Sequence, residues 1–243
     1  MAFFTSFTRG LYPGEVVLLI LGIVLFVALV IAFFYQLTHQ RSLAALLGFF
    51  ILPVVMIGYP TITSIQYENG VLTVQKTTER LQDNPADPQS RQALEEKVQQ
   101  IASRASSNPP DAVTLAKAQF ALGHEQEAEQ NLQKALQAKA DLPEALQLKQ
   151  KIEIARNLQS LAAKVEQEPA NQEVRTDLQK NIAAAAQLKW ANPNAVTSLA
   201  RAQTALGDHA AALKTIDKAV AIDPKSAPAQ KLRQAILLNA TPH

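Results

Sequence analysis

The chain has 243 residues, with 23 Lys and Arg, 21 Asp and Glu, no cysteine and a formal net charge of +2. Residues 1–60 hold only Arg9, Glu15 and Arg41 as charged side chains, so the remainder carries nearly equal numbers of both signs. This balance gives no electrostatic footprint for nucleic acid, and the lack of cysteine excludes disulfides, thiolate metal sites and a cysteine nucleophile.

Two uncharged segments open the chain. Residues 16–34 would span about 28 Å as a helix, the thickness of a hydrocarbon core, and residues 43–59 carry Pro53, which a membrane helix tolerates with a kink. The sequence therefore predicts a transmembrane hairpin in residues 1–60. A secretory signal peptide and a buried hairpin of a soluble protein are the alternatives. The first segment has no basic start or cleavage motif, and neither segment has a polar face.

The charges around these segments bear on location. Neither segment contains an ionisable side chain, which favours an anchor over a transport pathway. Arg41 lies between the segments, whereas Arg9, Lys76 and Arg80 lie on the other side. Counting these cations favours a two-pass arrangement with both termini in the cytoplasm, and a periplasmic soluble domain is the alternative.

Residues 61–84 are predicted to form a juxtamembrane linker. Within them, residues 64–75 read SIQYENGVLTVQ, in which Asn69-Gly70 stands between stretches with β-branched and aromatic residues. Asn-Gly is a strong signal for a two-residue hairpin turn, so a small β-hairpin is expected here. The alternative is an irregular linker, because an isolated two-stranded hairpin is marginal in water.

The rest of the chain contains an internal repeat. Shifting the sequence by 84 residues aligns 85–153 with 169–237 without a gap and divides this part into two helical units, 85–168 and 169–243. Beyond Gly70 the only glycines are Gly123 and Gly207, at matching positions, each between two stretches with helical spacing. Each glycine is predicted to end one helix in the left-handed conformation, and Asn108-Pro109 and Asn192-Pro193 to open each pair.

Two stretches resemble the 34-residue tetratricopeptide repeat, over about residues 193–226 and 109–142. The pair at residues 193–226 carries Leu199, Ala200, Gly207, Ala212, Ile216, Ala219 and Pro224, and the pair at residues 109–142 carries Leu115, Ala116, Gly123, Ala128, Leu132 and Ala135. Further helices are expected over residues 89–104, 143–166, 172–189 and 226–238. The prediction is an all-α fold in which eight soluble helices stack as a solenoid behind the transmembrane hairpin.

Signatures of enzymes are absent from the sequence. No glycine-rich phosphate loop can be written from Gly123 and Gly207, no two histidines have helical metal-ligand spacing, and there is no Gly-x-Ser-x-Gly motif. We therefore expect neither an enzyme nor a cofactor, metal or small-molecule substrate.

The resemblance implies a concave groove lined by the first helix of each pair. It places Lys117 and Phe120 on the groove side of the first pair and Arg201 and Thr204 on that of the second, unless these are ordinary solvated positions. Two cations in one groove would attract an acidic segment or a C-terminal carboxylate. Trp190, the sole tryptophan, is either a plug between helices or an exposed interface anchor.

The layout also resembles bacterial inner-membrane tetratricopeptide proteins. It implies a membrane-tethered scaffold that binds a protein partner, as an extended peptide or a helix. The alternative is a structural or assembly subunit of a larger membrane complex, including an apoprotein holdase like that of cytochrome c maturation.

Overall fold

The computed structural model describes residues 11–38 and 48–240, and every regular element in that part is an α-helix. The helices, numbered in chain order, are α1 Pro13–Thr38, α2 Ile51–Asp83, α3 Pro88–Ala105, α4 Pro109–Leu122, α5 Glu125–Ala138, α6 Pro143–Gln167, α7 Gln172–Ala186, α8 Pro193–Ala205, α9 His209–Ile222 and α10 Ala227–Ala240. The predicted all-α fold is confirmed, and α3 to α10 are the eight helices expected after residue 85.

The helices after α1 form a stack of helical hairpins. The pairs α2–α3, α4–α5, α6–α7 and α8–α9 pack within themselves, and α10 packs on α8 and α9. The first helices of the pairs contact one another in the order α2, α4, α6, α8 and α10. These five form an inner row and the second helices form an outer row, which gives the body the layout of an α-solenoid.

Residues 64–75 are helical, so the predicted β-hairpin is wrong. The segment belongs to α2, whose buried side chains recur every three or four residues: Ser64, Tyr67, Val71, Val74, Thr78 and Leu81. This spacing puts them on one face of a helix, against α3 and α4. The packing is close, because a Cβ on Gly70 would lie 2.9 Å from Cγ2 of Ile101. The predicted linker 61–84 is therefore part of the inner row.

Helix α1 coincides with the first predicted span, residues 16–34. Among the described residues it is the one helix that is long and apolar enough to cross a membrane, with a mean hydropathy of 3.5 over 18 residues, of which 11% are buried. The second predicted span, 43–59, lies partly outside the described residues. From Ile51 onwards it belongs to α2, which continues to Asp83 and does not meet the same criterion.

Helices α1 and α2 pack in opposite directions. A Cβ on Gly22 would lie 3.0 Å from side-chain atoms of Met56 and Ile57, and one turn later the rings of Phe26 and Phe50 are 5.8 Å apart. The partner positions on α2 decrease as those on α1 increase. The beginning of α1 therefore lies beside the middle of α2, close to the helical body.

The beginning of α1 is bonded to the end of α3. The Tyr12 hydroxyl donates to Ser103 Oγ at 2.9 Å, and Arg104 forms a 2.9 Å ion pair with Glu15. The Arg104 guanidinium also lies 4.7 Å from the centre of the Tyr12 ring. These contacts attach the apolar helix to the body at a second place besides α2.

The two glycine-closed turns are confirmed. Gly123 has φ of 95° and Gly207 has φ of 89°, the left-handed region that glycine enters without a Cβ clash. They connect α4 to α5 and α8 to α9. The flanking helices have different surroundings, since α3 packs on α2 and α4 whereas α7 packs mainly on α6. The 84-residue duplication stays a prediction.

The two asparagines that precede these pairs differ in capping. Asn192 Oδ1 accepts the backbone N–H groups of Asn194 and Ala195 at 2.8 and 3.2 Å, and its Nδ2 donates to Glu125. Asn108 makes no side-chain capping bond.

We expect Asn192→Ala to lower the free energy of unfolding by about 1–2 kcal/mol, because it removes an N-cap and a cross-helix bond. Asn108→Ala, the matched control, should change it by less than about 0.5 kcal/mol. Urea unfolding of the full chain in detergent, followed by circular dichroism, measures both, and equal losses would contradict the capping difference.

Candidate partner-binding groove

Two connected depressions lie between α2, α4 and α6. The proximal pocket, of about 430 Å³, includes Glu68 and Leu72 in its lining, and the distal pocket, of about 650 Å³, includes Gln82 and Lys151. The two pockets share Gln75, Thr114 and Glu144. Together they form a continuous channel along the inner row, called the inner groove below.

The inner groove runs lengthwise along three helices that point the same way. Its proximal pocket is lined by residue 68 of α2, residue 110 of α4 and residue 143 of α6. Its distal pocket extends to residue 82 of α2, residue 121 of α4 and residue 154 of α6. Residue numbers therefore rise along all three walls, from the pocket near the middle of α2 to the pocket near its end.

The connection between α7 and α8, residues 187–192, closes the distal end. Its Lys189 ammonium pairs with Asp83 at the end of α2, with 2.7 Å between Nζ and Oδ1. From the other side, Arg91 of α3 donates to the Ala191 carbonyl at 2.9 Å. A segment lying in the inner groove meets this connection at one end.

Trp190 lies in the same connection and is buried. Its side chain is 9% exposed, its Nε1 donates to the Ala185 carbonyl at 2.8 Å, and its ring centre is 6.4 Å from that of Phe120. Of the two alternative roles for this residue, the structure supports that of a plug between helices. Because it packs on a groove residue, it also supports the distal wall.

The walls of the distal pocket combine apolar and amide side chains. Phe120 and Leu148 are buried beneath it, and the amides stand above them. Four of these amides make no side-chain hydrogen bond among the described residues: Gln82, Gln147, Gln150 and Gln187. An amide group both donates and accepts, so such a wall can pair with peptide N–H and C=O groups.

Lys151 places a cation in the distal pocket without a carboxylate beside it. Its ammonium lies 5.2 Å from the centre of the Trp190 ring and donates to the Lys189 carbonyl, and within the described part of the chain it forms no ion pair. Burial lowers the pKa of Lys151 from its ordinary value of 10.5 to about 8, because the charged form is poorly solvated.

The pKa of Lys151 predicts a pH dependence of stability. The lowered folded-state pKa means that burial of the charge destabilises the fold fully below pH 8, and the penalty disappears as the pH rises from 8 to 10.5. We expect Lys151→Met to raise the free energy of unfolding at pH 7 by on the order of 2 kcal/mol and to remove this slope. Lys149→Met, at an exposed position on the same helix, is the control. Urea unfolding at pH 7, 8, 9 and 10 checks the prediction, and parallel curves for wild type and Lys151→Met would refute it.

The structure places the predicted residues of the first pair in the inner groove. Lys117 and Phe120 both line the distal pocket. Lys117 is not a free cation, since its ammonium pairs with Glu144 of α6 across the groove. A partner carboxylate would have to compete with Glu144 for it.

The predicted residues of the second pair lie elsewhere. Arg201 lines another depression, of about 510 Å³, whose walls come mainly from α5, α6, α8 and α10 and which shares only Phe120 with the distal pocket; it pairs with Glu166. The hydrogen bonds from Arg201 lower the pKa of the Glu166 carboxyl. Thr204 donates its hydroxyl to the Ala200 carbonyl of its own helix and does not line the inner groove. The expectation that Lys117 and Arg201 face one groove is therefore wrong, because α6 separates them and supplies a carboxylate to each.

Two walls of the inner groove were not predicted. The α2 wall, with Gln75 and Glu79, falls in the predicted linker, and the α6 wall, with Gln147 and Lys151, lies outside the repeat-like pairs. The three-and-four spacing of Tyr67, Val71, Val74 and the following buried residues is the signal that could have identified the α2 wall.

Comparison with known protein families finds a match in the second repeat-like pair. The tetratricopeptide repeat family model matches residues 193–226, which comprise α8, α9 and their flanking turns. Neither a curated protein nor a solved structure matches the chain. Together with the all-helical architecture, this match supports a tetratricopeptide repeat protein.

Proposed function

We propose that this protein is a membrane-tethered scaffold that holds an extended segment of a partner protein in the inner groove. The observation that carries the proposal is the distal pocket, in which unpaired glutamine amides stand above an apolar floor along three parallel helices. The match to the tetratricopeptide repeat supports protein interaction as the type of function. The proposed role requires no catalysis.

The chemistry of the groove favours an extended chain. A peptide in extended conformation exposes a backbone N–H and C=O about every 3.3 Å, and these groups need partners when they leave water. Gln147, Gln150 and Gln187 can provide both donors and acceptors, while the half-buried Ile154 and Leu188 offer apolar contact to the partner's side chains. A partner helix would not need these amides, because its backbone N–H and C=O groups are already hydrogen-bonded to one another.

The tether is supported by α1 and its attachment. Helix α1 is apolar along its length, and large side chains such as Val24 and Ile31 are 60% and 65% exposed. Bonds from Tyr12 and Glu15 fasten its beginning to α3. A helix that is bonded to the folded body serves as an anchor rather than as a signal peptide to be removed.

Position-specific photo-crosslinking in membranes tests the proposal. We expect a photoreactive amino acid at Gln150, in the distal pocket, to crosslink a partner protein in the membrane fraction. The same amino acid at Lys134, exposed on the outer helix α5, should give at most a tenth of that yield. Equal yields would contradict binding in the groove. Crosslinked product in the soluble fraction would contradict the tether.

A further inference from the structure

We infer that the inner groove binds the juxtamembrane segment of an integral membrane protein, with the transmembrane helix of that protein packed beside α2 and a basic residue just outside the bilayer paired with Glu68. This inference rests on the proposed function, and it specifies the class of partner. It follows from the course of one surface of α2, the closed distal end of the groove and the charge of the proximal pocket.

One row of residues on α2, called the stripe below, runs from the part of α2 that packs against α1 into the inner groove. Its members are spaced by alternating intervals of four and three residues, which places them on one side of the helix. They are Val54, Gly58, Thr61, Ile65, Glu68, Leu72, Gln75 and Glu79. Val54, Ile65 and Leu72 are 58%, 54% and 51% exposed. From residue 68 onwards the stripe lines the inner groove.

The contact between α1 and α2 shows where this stripe lies relative to the apolar segment of α1. Gly22 lies level with residues 56 and 57, and the apolar segment of α1 begins six residues before Gly22. On the antiparallel α2, that boundary corresponds to about residue 62. At a rise of 1.5 Å per residue, Ile65 lies about 4.5 Å and Glu68 about 9 Å beyond the boundary of the apolar layer. A helix packed on Val54 and Gly58 would therefore leave the layer directly below the proximal pocket.

The closed distal end determines how a segment lies in the groove. Because residues 187–192 cross the distal end, a chain that enters at the proximal pocket runs towards Trp190. Gln82 follows Glu68 by fourteen positions on α2, a distance of about 21 Å, which about six extended residues cover. The partner segment is thus short and directly follows its transmembrane helix.

The proximal pocket favours a cation. Its lining contains Glu68, Asp111 and Glu144 and neither lysine nor arginine. Glu144 is paired with Lys117, and Asp111 accepts a hydrogen bond from the Tyr67 hydroxyl. Glu68 forms no ion pair in the part of the chain that the structure describes. A lysine or arginine at the start of the partner segment would form an ion pair with Glu68.

Fluorescence of Trp190, the only tryptophan, provides the readout. The full chain is placed in lipid vesicles with a synthetic probe: a Leu/Ala transmembrane helix of about 20 residues, two lysines, and an extended tail with a nitroxide quencher about six residues on. We expect this probe to quench Trp190 at least tenfold more tightly than the same tail without the transmembrane helix. Replacing the two lysines by glutamate should weaken quenching at least tenfold.

Variants of the protein separate the parts of the inference. Glu68→Lys should reverse the preference for the lysine probe, so that the probe with glutamate in place of the two lysines binds more tightly. Glu96→Lys, exposed on α3, makes the same change in net charge and should leave the preference unaltered. At Gly58 an added Cβ would meet nothing within 4 Å. Gly58→Leu should therefore weaken binding of the transmembrane probe at least fivefold, without changing the binding of the tail that lacks the transmembrane helix.

The outcomes distinguish this inference from the proposed function. If the tail alone binds as tightly as the transmembrane probe, the membrane-protein partner is refuted while groove binding stands. If Glu68→Lys does not reverse the preference, or if no probe quenches Trp190, the inference is refuted, and crosslinking at Gln150 decides groove binding separately.

Discussion

Trp190→Ala is expected to lower the free energy of unfolding by about 3–5 kcal/mol, a larger loss than we expect from Asn192→Ala. The indole fills the space between Phe120 and the α7–α8 connection, and its N–H satisfies the Ala185 carbonyl. Its removal leaves a cavity and releases the distal wall of the inner groove. Urea unfolding of the full chain in detergent measures the loss. The pKa of Lys151 should also rise towards its ordinary value as water reaches its ammonium, because burial is what lowers it.

Trp190→Phe is the matched control for this prediction. It keeps an aromatic ring against Phe120 and removes only the N–H bond, so we expect a loss of about 1–2 kcal/mol. A loss below about 1 kcal/mol for Trp190→Ala would mean that the ring contributes little packing, as expected of an exposed interface anchor rather than of a plug.

Gly70→Val is expected to lower the free energy of unfolding by about 1–3 kcal/mol. A Cβ at this position would lie 2.9 Å from the buried Ile101 side chain, and the larger valine forces α2 and α3 apart. The better helix propensity of valine offsets only a few tenths of a kcal/mol. The measurement is the same urea unfolding.

Asn69→Ala tests the same segment in the opposite direction. Asn69 is exposed on α2, so alanine should stabilise the helix by about 0.5 kcal/mol. In a β-hairpin turn the same substitution would be destabilising, because alanine tolerates the left-handed conformation poorly. Destabilisation by Asn69→Ala would therefore contradict the helical structure of this segment.

Local chemistry explains what could be predicted. Gly123 and Gly207 each follow a helical stretch and occupy a position that only glycine fills without strain, so the turns after α4 and α8 can be identified from the sequence. The start of α8 can be identified in the same way, since Asn192 caps it and Pro193 follows. These features depend on residues that are neighbours in sequence.

The incorrect predictions depend on distant residues. The Asn69-Gly70 signal is overridden because a helix buries Tyr67, Val71 and Val74 against α3 and α4, a gain that a two-stranded hairpin could not match. The partners of Lys117 and Arg201 come from α6, whose position relative to the repeat-like pairs has no local signal. The closing of the groove by residues 187–192 likewise depends on contacts with Asp83 and Arg91, about 100 residues away.

The uninterrupted course of α2 has a mechanical consequence. Its 23 residues from 61 to Asp83 form a rod of about 35 Å that contains no proline at which it could bend. If α1 lies in a bilayer, this rod and the bonds from Tyr12 and Glu15 to α3 would hold the body at one distance from the lipid surface. A membrane-bound partner would then always meet the inner groove at the same distance from the lipid surface. The two molecules would find each other by lateral diffusion in two dimensions.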